Sequence, residues 1–272
     1  MKTLLRWPGG KVYQLNTLIG LIPEHTHYCE VFGGAGSLLF NKEKSKIETY
    51  NDINTFLYNY FNIVRSEPEK LQELIDSTPN CRQTYNRAVE LLQFAVPSMV
   101  PKGIPAFPNA VEIAWAFHVV CNQSFAGMQK SWGYRITEIR KEKILNLNSF
   151  AKRLKMVQIE NDDFKEIIRR YDSPETFFFC DPPYLETYKK EYYYANNLKN
   201  EDHEQLCDLL NGIKGKYLLS GYDNEIYERV LKNPSKITSN LTLNMSTTQK
   251  KKVKTECFWF NYKLRQMELF DF

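Results

Sequence analysis

Short apolar runs separated by polar or glycine-bearing turns recur along the chain, and their length and β-branched or aromatic content suit strands. "HYCEVF" (27–32), "IETYND" (47–52), "MVQIEN" (156–161), "FFFC" (177–180) and "KYLLSGY" (216–222) are five such runs. "ITSNLTLN" (237–244) and "TECFWFNYK" (255–263) close the series. A helical period separates most of them. Between 200 and 213 Leu206, Leu209, Leu210 and Ile213 recur at i, i+3, i+4 and i+7, behind Asn200 as a candidate cap. Strands alternating with helices predict an α/β fold: a mostly parallel, doubly wound sheet with helices on both faces. The last two strands follow one another without a helix, which predicts an antiparallel pair at the far end of the sheet.

The alternation breaks between about residue 54 and residue 150. That stretch carries the helical patterns "YNRAVELLQFAV" and "NAVEIAWAFHVVC", with a loop holding Pro97, Pro101, Pro105 and Pro108. It ends in "SFAGMQKSWGYRIT", whose glycines and aromatics suit a hairpin or a long ordered loop. The division expected is therefore 1–53 with 151–272 as one domain and 54–150 as a mainly helical insertion. No internal repeat or low-complexity segment interrupts this reading.

Composition narrows the class only a little. The 272 residues are 43% hydrophobic and 25% charged, as in ordinary soluble proteins, and the net charge of +4 is compatible with a polyanionic partner without demanding one. "MKTLLRWPGGK" has no apolar run of signal-peptide length, and no stretch approaches a membrane span. The cysteines at 29, 81, 121, 180, 207 and 257 form no C-x-x-C pair, so buried reduced thiols in a cytoplasm are expected. His25, His27 and Cys29 alternate, but with no partner cluster they read as entry into a strand, and no metal site is expected.

The candidate chemistry lies at strand ends, where open α/β sheets bind their ligands. Gly33, Gly34 and Gly36 stand where the first strand gives way to a helix, and glycine there lets backbone approach a nucleotide-like molecule. The spacing is not G-x-G-x-x-G, so a dinucleotide is not indicated. Asp52 ends the second strand, the usual place for an acid that takes ribose hydroxyls, although a turn-capping Asp looks the same. "LRWPGGK" lacks the first glycine and the Ser or Thr of a phosphate-binding loop.

"DPPY" (181–184) ends the most apolar strand on a carboxylate. Pro182 and Pro183 donate no backbone hydrogen bond, so their carbonyls remain as outward-facing acceptors, and Tyr184 adds a flat face. A carboxylate, a carbonyl and a ring suit a planar heteroaromatic amine. Two acceptors draw on the amine hydrogens, localise the nitrogen lone pair and stabilise positive charge developing there.

Taken in order, "WPGGK", "FGGAG", "NDIN", "NDDF" (161–164), "DPPY" and "TECFWFNY" span nearly the whole chain and resemble the Dam-like, alpha-group DNA adenine methyltransferases. That resemblance implies a Rossmann-like methyltransferase sheet with an antiparallel last strand. It also implies an inserted, mainly helical DNA-recognition domain with a hairpin, and S-adenosylmethionine as methyl donor. Phe32, Gly33, Gly34 and Gly36 would surround the cofactor, Asp52 would hold its ribose, and Asp163 its adenine beside Phe164. Trp7 and Lys11 would approach it from the amino-terminal segment, Lys11 alternatively serving the target base. Asp181, beside the cofactor, and Pro182 would hold the amine of an adenine flipped out of double-stranded DNA, with Tyr184 stacked on it.

Lys130, Arg135, Lys189, Lys190, Lys250, Lys251, Lys252 and Lys254 are candidate phosphate contacts, or simply solvated surface. "SFAGMQKSWGYRIT" departs from the Arg-Tyr-Asn and Gly-x-Phe-Asn strings of GATC-reading members, so the target sequence stays open. The tail "QMELFDF" resembles peptides that dock on bacterial sliding clamps through positions matching Gln266, Leu269 and Phe270, and equally suits an apolar cover for a sheet edge. The resemblance implies a monomeric, cytoplasmic, nucleoid-associated enzyme of bacterial, archaeal or phage origin, with or without a paired restriction enzyme. RNA or cytosine methylation and a silent DNA binder are the competing readings. Asp181 argues against cytosine, whose enzymes usually carry serine there, and the intact motifs argue against a silent binder.

Overall fold

The computed structural model describes residues 3–95, 97–100, 104–133, 146–185, 198–242 and 253–264. A 3-10 turn, Lys11–Gln14, leads into helix α1 (Leu15–Leu21), then strands β1 (His27–Glu30) and β2 (Ile47–Asn51). Helices α2 (Thr55–Ser66), α3 (Pro68–Asp76) and α4 (Arg82–Phe94) follow, then strands β3 (Ser98–Val100) and β4 (Ile104–Ala106) and helix α5 (Ala110–Gln123). After a second 3-10 turn, Phe125–Gly127, come α6 (Leu147–Leu154), β5 (Val157–Glu160), α7 (Phe164–Tyr171), β6 (Thr176–Cys180) and α8 (Asn200–Gly212). The series is completed by β7 (Lys216–Tyr222), α9 (Glu225–Val230), β8 (Ser235–Thr242) and β9 (Val253–Phe260).

Every expected strand is present, and seven of them form one sheet in the order β5-β2-β1-β6-β7-β9-β8. β6 pairs in parallel with β1 on one side and β7 on the other, whereas β9 is antiparallel to both β7 and β8. From β1 the sheet grows outward through β2 to β5, then resumes on the other side at β6. β1 and β6 therefore flank the point at which the strand order reverses, where such sheets hold their ligands.

The chain divides into two compact units. One comprises Met1–Asn16, Gly33–Glu43 and Tyr50–Asp162; the other comprises Thr17–Phe32, Lys44–Thr49 and Asp163–Phe272. The second unit has a core of Cys29, Val31, Phe178, Cys180, Leu219, Cys257 and Trp259 from the strands, closed by Phe164, Ile167 and Ile168 of α7 and Leu206, Cys207 and Leu210 of α8. β6 is buried at every residue, which is why "TFFFC" reads as a continuous apolar run rather than an alternation. In the first unit α4 and α5 enclose a smaller core of Tyr85, Ala88, Ala116, Val119 and Val120.

Two local expectations are corrected. The proline-bearing stretch expected as a loop contains an antiparallel ribbon in which Met99 faces Pro105. A two-stranded ribbon is all edge, so a residue without an N–H can face outward at no cost to the ladder. Asn200 is the first residue of α8 and not its cap; the Asp202 carboxylate accepts from the Lys199 N–H at 2.9 Å and closes that end. Residues 124–133 form a turn bridged antiparallel between Ser124 and Trp132, and the rest of the expected hairpin lies outside the described residues. Five cysteines are buried as expected, while Cys81 is half-buried at the start of α4.

Trp259 is the largest fully buried side chain and its indole N–H donates to Glu228 at 3.1 Å. Trp259→Ala is expected to lower stability by about 3–5 kcal/mol, read from the urea midpoint at constant slope.

Candidate active site

The turn after β1 is built from its own unit upward. Gly34 and Gly36 have φ of +50° and +65°, the left-handed region that L side chains avoid. Gly33 is required for space: a Cβ there would lie 2.1 Å from the Tyr50 ring. At Gly34 a Cβ would meet the Trp7 indole nitrogen at 2.8 Å. The room at these two positions is thus filled by the chain's own rings, and the glycines serve tight packing of the turn.

Hydrogen bonds tie this turn to the tip of β2. Gly33 N–H donates to the Asn51 carbonyl at 2.7 Å, and the Tyr50 hydroxyl donates to the Gly34 carbonyl at 2.6 Å. Asp52 accepts from Gly34 N–H through Oδ2 at 2.8 Å and from Asn54 N–H through Oδ1 at 2.9 Å. Desolvation pushes its pKa up to about 6 against the lowering effect of those two N–H groups. Side-chain amides extend the frame. Asn51 exchanges bonds with the main chain of Asp162 at 2.9 and 3.0 Å, and Asn161 donates to the Asp52 carbonyl at 2.8 Å. Trp7 lies against Phe117 with ring centroids 6.2 Å apart, and Lys11 is buried, its ammonium donating to the Gly9 carbonyl at 3.2 Å.

In the other unit, Asp163 is the N-cap of α7 and accepts from Lys165 N–H at 2.8 Å. Phe164 follows, its ring 5.5 Å from that of Phe32. Asp181 leaves the end of β6 and accepts from the Ser220 hydroxyl of β7 at 2.6 Å. The Tyr184 ring meets Tyr222 edge-on at 4.7 Å, and its hydroxyl donates to Glu256 of β9. Burial, with the Asp181 and Glu256 carboxylates adding to it, pushes the Tyr184 phenol well above its ordinary range, so it stays protonated and donates.

Three strand ends thus converge on the Asp181–Tyr184 turn. β6 supplies the turn, β7 supplies Ser220 and Tyr222, and β9 supplies Glu256, which is only 3% exposed. Ser220, Tyr222, Glu256, Tyr50, Asn51 and Asn161 were missing from the expected set. An acid inside the apolar run "ECFWF" and a serine inside "YLLSGY" were the visible signals. Lys130 is exposed in the bridged turn; Arg135, Lys189, Lys190, Lys250, Lys251 and Lys252 lie outside the described residues, as does the tail from 265. Among the described residues no cluster of His, Cys, Asp and Glu could hold a metal, and no helix is long and apolar enough to cross a membrane.

The family model for D12 class N6 adenine-specific DNA methyltransferases matches residues 7–245. The chain belongs to that family. This methyltransferase is 24% identical over 279 residues to the type II methyltransferase M1.LlaDCHI of Lactococcus lactis subsp. cremoris, covering 96% of each chain. It is 23% identical over 269 residues to the DNA adenine methylase of Escherichia coli K12, covering 92% of each. A type II methyltransferase from Paramecium bursaria Chlorella virus NC1A, M.CviBI, is 24% identical over 245 residues, 84% of this chain and 87% of that one. The enzyme is a site-specific adenine methyltransferase acting on DNA, and its family membership implies a methyl donor.

Two outcomes test the geometry. Gly33→Ala forces the Tyr50 ring aside and is expected to cost about 1–3 kcal/mol in urea unfolding, more than Gly212→Ala, whose Cβ meets nothing within 4 Å. The raised Asp52 pKa means that the native state holds this proton more tightly than the unfolded chain. Asp52 therefore makes stability fall as pH rises from about 4 to about 6. Asp52→Asn should flatten the urea midpoint across that window.

Proposed function

We propose that the enzyme transfers the methyl group of S-adenosylmethionine to the exocyclic amine of an adenine flipped out of double-stranded DNA. The observation that carries this reading is the Asp181 carboxylate, fixed by Ser220 at the end of a buried strand and followed by two residues without N–H groups. Asp181 and the Pro182 carbonyl accept the two amine hydrogens, which concentrates the lone pair on the nitrogen and stabilises its developing charge. Tyr184, held by Glu256 and braced by Tyr222, presents its face to the base. The surplus proton leaves to solvent. Extruding the base costs about a few kcal/mol, repaid by this stacking and hydrogen bonding.

The residues present fit the proposed donor. A carboxylate has about four acceptor positions, and Asp52 uses two of them on its own backbone, so acceptors remain for ribose hydroxyls. Phe32 and Phe164 provide apolar ring surface, with Asp163 at the head of α7 as an acceptor for an adenine amine. Gly33, Gly34 and Gly36 shape the turn, and Trp7 and Lys11 complete the set. Bound S-adenosylmethionine supplies an electrophilic methyl group on its sulfonium.

In this reading residues 54–150 form the target-recognition domain, inserted into a catalytic domain of 1–53 and 151–272. Lys130, Arg135, Lys189, Lys190, Lys250, Lys251 and Lys252 then contact phosphates, and the enzyme works as a monomer in the cytoplasm. Gln266–Phe270 would tether it to a sliding clamp, and a peptide of the tail that fails to bind a clamp at high micromolar concentration removes that part.

Asp181→Ala is expected to lower kcat at least about 10²–10³-fold while leaving S-adenosylmethionine binding within a few-fold. Modified-base sequencing of DNA from a methylation-free host expressing the chain should show methyladenine in one short motif, absent with the variant. Near-normal methylation by the variant overturns the site assignment.

A further inference from the structure

His203 lies on the inner face of α8 beside Leu206 and Cys207, with 0% of its surface exposed. A buried imidazole has two nitrogens that need partners, and a bare one is costly. Nδ1 is 2.7 Å from the Tyr227 hydroxyl, and the two rings are 5.6 Å apart. Nε2 has no hydrogen-bond partner among the described residues. The main-chain carbonyl of Pro183, inside the Asp181–Tyr184 turn, acts on the imidazole as an acceptor from beyond full hydrogen-bond geometry.

The tautomer follows from the partners. Burial pushes the Tyr227 phenol far above its ordinary range, so its O–H is intact and donates to Nδ1. Burial also pushes His203 down to about 4, so the ring is neutral at neutral pH and its single proton sits on Nε2. The opposite tautomer would set the Nε2 lone pair against a carbonyl oxygen. The turn itself needs such a donor, because Pro182 and Pro183 bring none with which to fix their own backbone.

We propose that His203 is a positioning residue for methyl transfer: its Nε2–H, held by Tyr227, closes on the Pro183 carbonyl and sets the backbone that aims Asp181 and the Pro182 carbonyl at one amine. This rests on the Asp181–Tyr184 turn being the reacting one. Closure on substrate shortens the Nε2–H contact into a full hydrogen bond.

His203→Asn and His203→Gln in the full chain separate the two nitrogens, because an asparagine amide reaches the Nδ1 position and a glutamine amide reaches that of Nε2. His203→Asn should lower kcat about 10–100-fold with little change in the KM for S-adenosylmethionine, and His203→Gln should recover most of the loss. Long-range 1H–15N spectra of the unaltered enzyme should show His203 protonated on Nε2. An Nδ1–H tautomer overturns the proposal whatever the variants do. So does a folded His203→Asn enzyme with wild-type kcat when Asp181→Ala is inactive. An active Asp181→Ala enzyme overturns the assignment of the turn, and the proposal with it.

Discussion

β1 and β6 run parallel with Cys29 opposite Phe178 and Glu30 opposite Phe179, and the chemistry of this enzyme depends on where that register stops. A parallel pair buried on both faces cannot slip without exposing a full set of aromatic side chains. The Val31 N–H still bonds to the Phe179 carbonyl at 3.0 Å, so pairing holds to the last residue before each strand ends. Phe32 and Asp181 are therefore delivered side by side by backbone geometry alone. The loops add shape to a placement that the sheet has already made.

Polar groups then finish what the sheet begins, each by fixing backbone that has no regular partner. Asp52 holds the Gly34 amide, Asn51 and Asn161 join the ends of β2 and β5, and Ser220 and Glu256 hold Asp181 and Tyr184. The desolvated Asp52 carries a raised pKa as the cost of that role. A site made this way is rigid before any ligand arrives, which is what transition-state recognition of a weakly nucleophilic amine requires.

The strands and the antiparallel end of the sheet were legible because their apolar runs are short, aromatic and punctuated by glycine and asparagine. The insertion was visible as a break in the alternation, but the β3-β4 ribbon was hidden behind prolines that normally argue against strands. Asp181 and Tyr184 could be read from order alone, since an acid after "FFFC" contradicts its surroundings. Ser220 and Glu256 could not be placed, because their partners lie 39 and 72 residues away along the chain. For the glycines the positions were legible and the reason was not: Tyr50 and Trp7 occupy the space at Gly33 and Gly34, and only three-dimensional packing reveals it.

β9 follows β8 in the chain yet lies between β7 and β8 in the sheet. A ribosome therefore delivers the outer strand first, and β8 has nothing to pair with until the residues after 252 emerge. Until then β7 presents an open edge, and Tyr184 lacks the Glu256 that holds its hydroxyl. Completion of the sheet and completion of the catalytic turn are the same event, late in synthesis. A nascent chain of this enzyme is thus inert toward DNA until nearly all of it has been made.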